Sequence, residues 1–391
     1  MSFLTTITSA LKGGGQPRVP LARGFTSPWA LAFDGGAPAG PRPFDYARSV
    51  REGFCDNPVA QRAVRIVAEG VGSAPLLPAD PVLTRLIGAT SAGQSLVETV
   101  AAHLLLHGNA YVQVVKDGAG QPVELYALRP ERVSVVAGAD GWPAGYRYAL
   151  AGRTLEIPLE DEAGWPELVH IRSFHPADDH YGAGQLAAAA QAIAIHNAAS
   201  EWNRALLANA ARPSGALSYD SGDGGGLTGE QFERLKAELA LAFQGQGNAG
   251  RPMLLEGGLK WQQVALSPAD MDFATLKAAA ARDIALAFGV PPMLLGLPGD
   301  NTYANYREAS RALWRLTLLP LADKILSGLA EGLAPWFPPT SPGARLAVDL
   351  DRVPALSEDR ERLWAQVSAA AFLSDADKRA LLGLTPEGDT P

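Results

Sequence analysis

The first part of the chain changes from a helical to a strand pattern near Gly108. Apolar residues recur every three to four positions over residues 58–70 and again after Ser95, which predicts two amphipathic helices. Ser95 with Glu98 three residues later fits a capping box at the start of the second helix. Beyond residue 108 the period shortens to two, and turn-forming residues separate short apolar runs. We therefore predict an α+β domain that ends near His180, with strands at 110–116, 125–128, 133–136, 146–150 and 168–171.

An alanine-rich segment follows, from Gly182 to Ala211. It contains thirteen alanines and only two charged residues, Glu201 and Arg204. Alanine has the highest helix propensity, and its small side chain lets neighbouring helices approach closely. A helix with so little charge would be poorly soluble on its own. The segment therefore predicts a long helix that is packed between neighbouring elements or neighbouring subunits.

The middle of the chain predicts a small insert of strands around one helix. Arg212-Pro213 ends the alanine-rich helix, and residues 214–219 have a strand pattern. Thr228 is a fitting N-cap for a helix over residues 229–243. A hairpin of residues 253–255 and 259–266 is expected around Gly257-Gly258.

The last part of the chain predicts long helices separated by proline-rich connections. Ser267-Pro268-Ala269-Asp270 is a strong helix start, and Gly289 followed by Pro291-Pro292 should end that helix after Phe288. Residues 291–301 are expected to form a loop. A helix over residues 302–333 should be kinked at Pro320. Two short helices are expected to begin at Ser357 and Ser374.

Composition narrows the class of protein further. The chain has 391 residues, 47% of them hydrophobic, and a net charge of −8, so it can bury more than one core. Residues 1–45 are rich in Gly and Pro and predict an arm with little core of its own.

A single cysteine, Cys55, excludes an internal disulfide and a cysteine-based zinc site. We expect no secretory leader and no membrane span. A mildly acidic chain does not suit a protein that grips nucleic acid, although an acidic surface can face DNA that slides past.

Five histidines and a glycine-rich run are the candidates for chemistry. His170, His175 and His180 lie near Asp178 and Asp179, a composition that could bind a metal ion, but loop histidines are only suggestive of this. His103 and His107 are four residues apart, yet the glutamate of a zinc-protease motif is missing between them. The run 245–250 spells GxGxxG, but a predicted helix precedes it and a strand follows, which is the reverse of a dinucleotide site. We therefore expect no catalytic residue, no metal and no cofactor.

A set of basic and aromatic residues on the helix over 302–333 has two interpretations. Stacking on nucleic acid is one, and an ordinary amphipathic helix is the other, which the spacing favours. The residues are Tyr303, Tyr306, Arg307, Arg311, Trp314 and Arg315.

The order of these segments resembles the portal proteins of long-tailed phages and of gene transfer agents. The most specific stretch is Phe288-Gly289-Val290-Pro291-Pro292-Met293-Leu294-Leu295-Gly296. Other stretches that carry the resemblance are Gly108-Asn109-Ala110-Tyr111, Leu128-Arg129-Pro130, His170-Ile171-Arg172-Ser173-Phe174, Ala211-Arg212-Pro213-Ser214-Gly215, Leu254-Leu255-Glu256-Gly257-Gly258-Leu259, Thr302-Tyr303-Ala304-Asn305 and Leu384-Thr385-Pro386. The resemblance covers residues 50–386.

The resemblance implies a multi-domain portal fold with named parts. These are an N-terminal arm (1–45), a wing (46–181 and 302–350), two stem helices (182–211 and 267–289), a clip (212–266), a tunnel loop (290–301) and a short helical crown (351–391).

The same resemblance implies a function and partners. Twelve subunits would form a ring at one vertex of the head of a virion or phage-like particle, with double-stranded DNA passing through its centre. The large terminase, which is the packaging motor, and later a head–tail adaptor would dock on the clip, and the major capsid protein would surround the ring. The tunnel-loop residues expected to face DNA are Leu297, Gly299, Asp300 and Asn301. The clip residues expected to contact the motor or adaptor are Tyr219, Asp220, Gln246 and Asn248.

Two other functions remain open on the sequence. One is another structural head or adaptor protein of a virion. The other is a soluble α+β hydrolase that uses the region from His170 to His180. Metal analysis and the activity of a His175→Ala variant would separate the hydrolase from the structural proteins.

Overall fold

The computed structural model describes residues 45–91, 93–208, 215–219, 228–231, 233–234, 236–237, 259–263, 273–298, 302–341 and 343–384. The GxGxxG run and nearly all of the N-terminal arm lie outside these residues. The structure contains both helices and sheets, which confirms the predicted α+β class.

The region predicted to be the wing, which keeps that name below, begins with four helices, each started by a local sequence signal. Helix α1 starts after the N-cap Asp45 and runs into a π-helical turn. Asn57, Asp80 and Ser95 are the N-caps of the next three helices, and each side chain accepts hydrogen bonds from backbone N–H groups of the first turn. Gly108, at φ +83°, ends α4 as predicted. The helices are α1 (Tyr46–Val50), α2 (Pro58–Gly72), α3 (Pro81–Ile87) and α4 (Leu96–His107), and the π turn is Arg51–Cys55.

Eight short strands of the wing form one hairpin and two three-stranded sheets, and all their pairings are antiparallel. The hairpin joins β1 and β2 directly before α4, and the sheets have the strand orders β4-β3-β8 and β5-β6-β7. The strands are β1 (Thr90–Ser91), β2 (Gln94–Ser95), β3 (Asn109–Lys116), β4 (Pro122–Leu128), β5 (Val133–Ala137), β6 (Pro143–Leu150), β7 (Arg153–Pro158) and β8 (Leu168–Arg172). Strand β7 was not predicted, because only Ile157 among its residues is buried and the alternation is weak.

The main hydrophobic core lies between the wing helices and the first sheet. Val67 of α2, Val100 of α4 and Ile325 of a later helix are completely inaccessible to solvent. Gly332 lies so close to Val169 of β8 that a Cβ there would overlap the valine side chain, which explains a glycine near the end of that helix. A second, smaller core fills the space between the two sheets around Tyr111 and Tyr146.

Two long helices and one strand pair form the region expected to be stem and clip. Helix α5 (Gln185–Ala208) packs along α6 (Phe273–Ala287), and β9 (Gly215–Tyr219) pairs antiparallel with β10 (Leu259–Gln263). Thr228 caps its helix as predicted, since its Oγ1 accepts from the backbone N of Gln231 at 3.3 Å. Residues 253–255, the predicted hairpin partner of β10, lie outside the described residues, and the partner observed is β9.

The predicted bounds of both stem helices were wrong by a few residues at the ends that the structure describes. Helix α5 begins at Gln185 rather than Gly182, because residues 182–184 pack tightly against the backbone at Gly108, where a helical turn would not fit. Helix α6 ends at Ala287, and Gly289 then adopts a left-handed conformation with φ +66°. The predicted start of α6 at Ser267 lies outside the described residues.

The C-terminal part consists of one long interrupted helix and two short ones. Helix α7 (Tyr303–Leu313), a π-helical turn (Trp314–Leu318) and α8 (Leu319–Gly332) follow each other without a break. A π turn, Trp314–Leu318, lies just before Pro320, where a kink was predicted. Pro320 has no N–H to continue the backbone hydrogen bonds of the helix, and the wider turn before it accommodates the proline ring. The last helices are α9 (Ser357–Ala369) and α10 (Asp375–Leu382), and Ser374 forms the capping box of α10.

Candidate assembly and channel surfaces

The two helices predicted to form the stem, α5 and α6, pack along each other and bury several alanines. Ala189 of α5 and Ala280, Ala281 and Ala285 of α6 are nearly inaccessible to solvent. Alanines at such a contact allow close approach of the two backbones. The ring of Trp202 on α5 lies 5.6 Å from that of Phe273 on α6, which closes the contact at the far end of the pair.

A buried polar cluster fixes α5 to the wing. Asn57 Nδ2 contacts His196 Nδ1 at 3.1 Å and donates to Asn197 Oδ1 at 2.8 Å, while Asn197 Nδ2 donates to the Glu52 carbonyl at 2.9 Å. The Oδ1 of Asn57 meanwhile accepts from the N–H groups of Val59 and Ala60. Burial, and then the nearby Lys277, lowers the pKa of His196. Asn57 therefore caps α2 with its Oδ1 and joins α2 to α5 with its Nδ2.

A second cluster holds the connection between the sheet and α5. Asn109 Oδ1 accepts from Gly182 N at 2.8 Å and lies 3.1 Å from His170 Nε2. The imidazole of His170 stacks on Tyr111 with ring centroids 4.3 Å apart. Burial, helped by the neighbouring Arg172, lowers the pKa of His170 to about 3. His170 is thus a neutral structural residue that helps to place the first residues of the stem.

The other histidines of the proposed metal group are not gathered around one point. The backbone N of Ala177 donates to His175 Nδ1 at 3.1 Å, so that ring caps its own loop. Asp178 Oδ1 accepts from the backbone N of His180 and of Tyr181. Within the described ranges, no cluster of three or more His, Cys, Asp or Glu residues could hold a metal ion. In the same ranges no helix is long and apolar enough to cross a membrane.

The first half of the predicted tunnel loop is a tightly packed turn. Val290 is buried, and Thr317 donates to the Gly289 carbonyl at 2.7 Å. Residues Pro292–Leu295 form a 3-10 helix, and Arg282 donates to the Pro298 carbonyl at 2.9 Å. Leu297 is half-buried at the end of this turn. Gly299, Asp300 and Asn301 lie outside the described residues, so their exposure to a channel stays a prediction.

The predicted clip contacts are described at one position. Tyr219 is the last residue of β9 and is paired with Leu259 of β10. Asp220, Gln246 and Asn248 lie outside the described residues.

The basic residues of α7 and the π turn pair with acidic residues at the start of α9. Arg311 contacts Glu358 at 2.9 Å and Asp359 at 3.3 Å, and Arg307 and Arg315 contact the same two carboxylates at 2.7 and 2.6 Å. These arginines therefore join the wing to the C-terminal helices, which agrees with the structural interpretation rather than with nucleic-acid stacking. The sequence pattern did not reveal this network, since the partners lie 44–51 residues away.

A groove at the base of the stem exposes large apolar side chains. It has a volume of about 320 Å³ and lies between α5, α6 and the π turn. Leu286 and Leu316 line it with 79% and 77% of their surface exposed. The Oε1 of Gln185 in the same groove is buried without a hydrogen-bond partner in the described structure. Exposed leucines beside an unpaired polar atom are typical of a surface that another chain covers.

The fold and these surfaces together define a subunit of a larger assembly, and comparison with known proteins identifies its kind. The family model described as phage portal protein matches residues 58–383. The chain belongs to the phage portal protein family. A protein of Rickettsia felis is 40% identical over 350 residues, which are 86% of this chain and 88% of the relative.

Solved structures of gene transfer agent (GTA) particles contain similar chains. One, in the virion of a native GTA particle, is 49% identical with a TM-score of 0.65, and the match covers 91% of this chain and 98% of that chain. Another, in the neck of a native GTA particle with C12 symmetry, is 49% identical with a TM-score of 0.64 over 92% and 98% of the two chains. The particle necks support a ring oligomer of the portal type for this family.

Proposed function

We propose that this chain forms a ring of twelve subunits at one vertex of a phage-like head and that double-stranded DNA enters and leaves through the ring. The observation that carries the proposal is the groove at the base of the stem, with Leu286 and Leu316 exposed beside the unpaired Gln185. The similarity to chains in GTA necks with C12 symmetry supports both the number of subunits and the location of the ring in the particle. In such a ring each subunit assembles with its neighbours and lines the path of the DNA. Neither role requires a catalytic step.

The stem is suited to contacts on more than one side. Helix α5 has few charged residues, and Trp202 remains 45% exposed although α6 packs against the same helix. A ring places a neighbour on each side of every subunit, which buries such surfaces without leaving an open end. We expect the groove lined by Leu286 and Leu316 to lie at this contact between neighbours.

The channel is expected at the loop that follows Leu297. The described turn up to Pro298 is anchored by Arg282, so that the next residues begin from a fixed point. Asp300 and Asn301 carry no positive charge, and the whole chain has a net charge of −8. Each phosphate that a protein neutralises adds affinity, so an acidic wall lets DNA slide instead of holding it.

The clip is the expected docking surface for the large terminase and the head–tail adaptor. Tyr219, Asp220, Gln246 and Asn248 are the residues proposed to contact them, and the major capsid protein is proposed to surround the wing. The strand pair β9–β10 supports this role, because it carries Tyr219 at its end.

Substitution of the groove leucines tests ring assembly. We expect Leu286→Lys combined with Leu316→Lys to keep the chain monomeric, because each groove would then carry two positive charges that must lose water at its contact with the neighbouring subunit. Leu155→Lys, also at an exposed leucine but on β7, is the matched control and should assemble normally. Normal rings from the double variant would refute the contact.

Substitutions in the tunnel loop test the passage of DNA separately from ring assembly. We expect Asp300→Lys with Asn301→Lys to leave rings intact and to reduce the DNA filled or retained in particles, because added positive charge increases friction against phosphates. Unchanged packaging in intact rings would show that these residues do not face the DNA.

A further inference from the structure

Strand β4 leaves one edge of its sheet open. It pairs with β3 on one side, and the described hydrogen bonds of its backbone run to that strand. Val123 and Tyr126 on β4 are 47% and 49% exposed. An exposed apolar edge strand is a template for pairing with a further strand, and proteins usually protect such edges.

Two other edge strands show that protection. The outward N–H of Val135 on β5 donates to the Tyr181 hydroxyl at 2.8 Å. Strand β7 carries Arg153 and Glu156, both exposed, and charges of this kind discourage pairing. Strand β4 has a single charged residue, Glu124. Its edge is therefore the one among these three that remains suited to accept a strand.

A cleft runs beside this edge. It has a volume of about 300 Å³ and lies between residues 124–127 of β4, the hairpin at Thr90 and Gln94, and His103 of α4. The Nδ1 of His103 is buried without a hydrogen-bond partner in the described part of the chain. Burial lowers the pKa of His103 to about 4, so the ring is neutral near pH 7. A buried unpaired nitrogen costs about 1–3 kcal/mol, so a hydrogen-bond partner that enters the cleft would stabilise the fold.

The N-terminal arm leaves the described structure next to this cleft. The ring of Tyr46 packs edge-on against His107 with centroids 4.8 Å apart, and His107 follows His103 by one helical turn, about 6 Å. In the arm, Trp29, Leu31 and Phe33 alternate with alanines, which is a strand pattern. The chain between residues 33 and 45 can span about 40 Å, more than the distance to the cleft requires.

We propose that residues 29–33 add a strand to the free edge of β4 in the same chain. The backbone of the arm pairs with β4, and its large apolar side chains, which share one face, lie on the side of Leu125 and fill the cleft. In this arrangement the indole N–H of Trp29 donates a hydrogen bond to the otherwise unpaired Nδ1 of His103. This docking of the arm is independent of the portal function, since it concerns one subunit.

Hydrogen exchange of the full-length chain tests the proposal from the side of the arm. The variant Ala30→Pro with Ala32→Pro removes two backbone donors and keeps Trp29, Leu31 and Phe33. We expect peptides covering residues 122–128 to exchange roughly tenfold faster or more in this variant than in the wild type. The matched control, Ala22→Pro with Ala39→Pro, places two prolines elsewhere in the arm and should exchange as the wild type does.

A second variant tests the proposal from the side of β4. Val123→Lys should release the arm and speed the exchange of residues 29–33, whereas Leu155→Lys on β7 should not. Equal exchange of residues 122–128 in wild type and Ala30→Pro/Ala32→Pro would overturn the proposal. Protection seen only at concentrations where subunits associate would assign the arm to a neighbouring copy and would overturn the assignment to the same chain.

Discussion

We expect the replacement of Asn57 by alanine to lower the free energy of unfolding by more than the loss of a helix cap alone, because it also weakens the attachment of the stem. Asn57 is buried and uses its Oδ1 to cap α2, with contacts of 3.1 and 3.0 Å to the N–H groups of Val59 and Ala60. Its Nδ2 serves His196 and Asn197 of α5. The substitution therefore removes a cap and leaves two polar atoms on α5 without their partner, one on the buried His196 and one on the half-buried Asn197.

The magnitude follows from these separate losses. An N-cap contributes about 1 kcal/mol, and each buried group left unpaired costs about 1–3 kcal/mol. These losses together amount to about 3–7 kcal/mol. Water can reach the half-buried Asn197 and offset part of its loss, so we expect the free energy of unfolding to fall by about 3–5 kcal/mol. The control is Asp80→Ala, which removes a cap that also accepts from two N–H groups but is only half-buried, with its described side-chain bonds inside its own helix, and should cost about 1 kcal/mol.

Urea unfolding of both variants, followed by far-UV circular dichroism, measures the difference. The midpoint for Asn57→Ala should fall well below that of Asp80→Ala, with an unchanged slope, because the surface exposed on unfolding stays the same. Exchange of amides in α5 should also rise in Asn57→Ala alone. Equal midpoints for the two variants would refute the view that the buried amide cluster holds the stem to the wing.

Three further predictions concern other parts of the wing and the C-terminal helices. The pKa values of His103 and His170 are lowered in the folded state, so stability should fall by about 1.4 kcal/mol per pH unit for each as the pH drops below about 6.5, and His170→Gln should flatten this slope in urea midpoints. Gly182→Ala should lower the thermal midpoint by several degrees, because its Cβ would overlap the backbone of Gly108. Arg311→Met should speed hydrogen exchange in α9, and 1 M salt should reproduce part of that effect in the wild type.

Local sequence signals predicted much of the fold. Ser95, Thr228 and Ser374 are caps where the sequence placed them, because a cap depends on residues only three positions apart. The alanine-rich helix was also predicted, although its start was not. That start depends on contact between Gly182 and Gly108, which is a tertiary constraint that no local pattern encodes.

The residues that hold the surfaces in place were harder to predict. Asn57 and His196 lie 139 residues apart, and nothing in either neighbourhood indicates the other. One signal was present, because His196-Asn197 is a polar pair within a nearly uncharged helix, and such a pair needs buried partners. The expected roles of Leu297 and Tyr219 rest on resemblance to the family, since contacts with DNA or a motor are absent from an isolated subunit.

Electron microscopy of the purified full-length chain tests the central claim most directly. The account predicts class averages of a closed ring with twelvefold symmetry and a central hole, and a loss of that ring in Leu286→Lys/Leu316→Lys but not in Leu155→Lys. Particles without a central hole, or monomers that persist at high protein concentration, would contradict it.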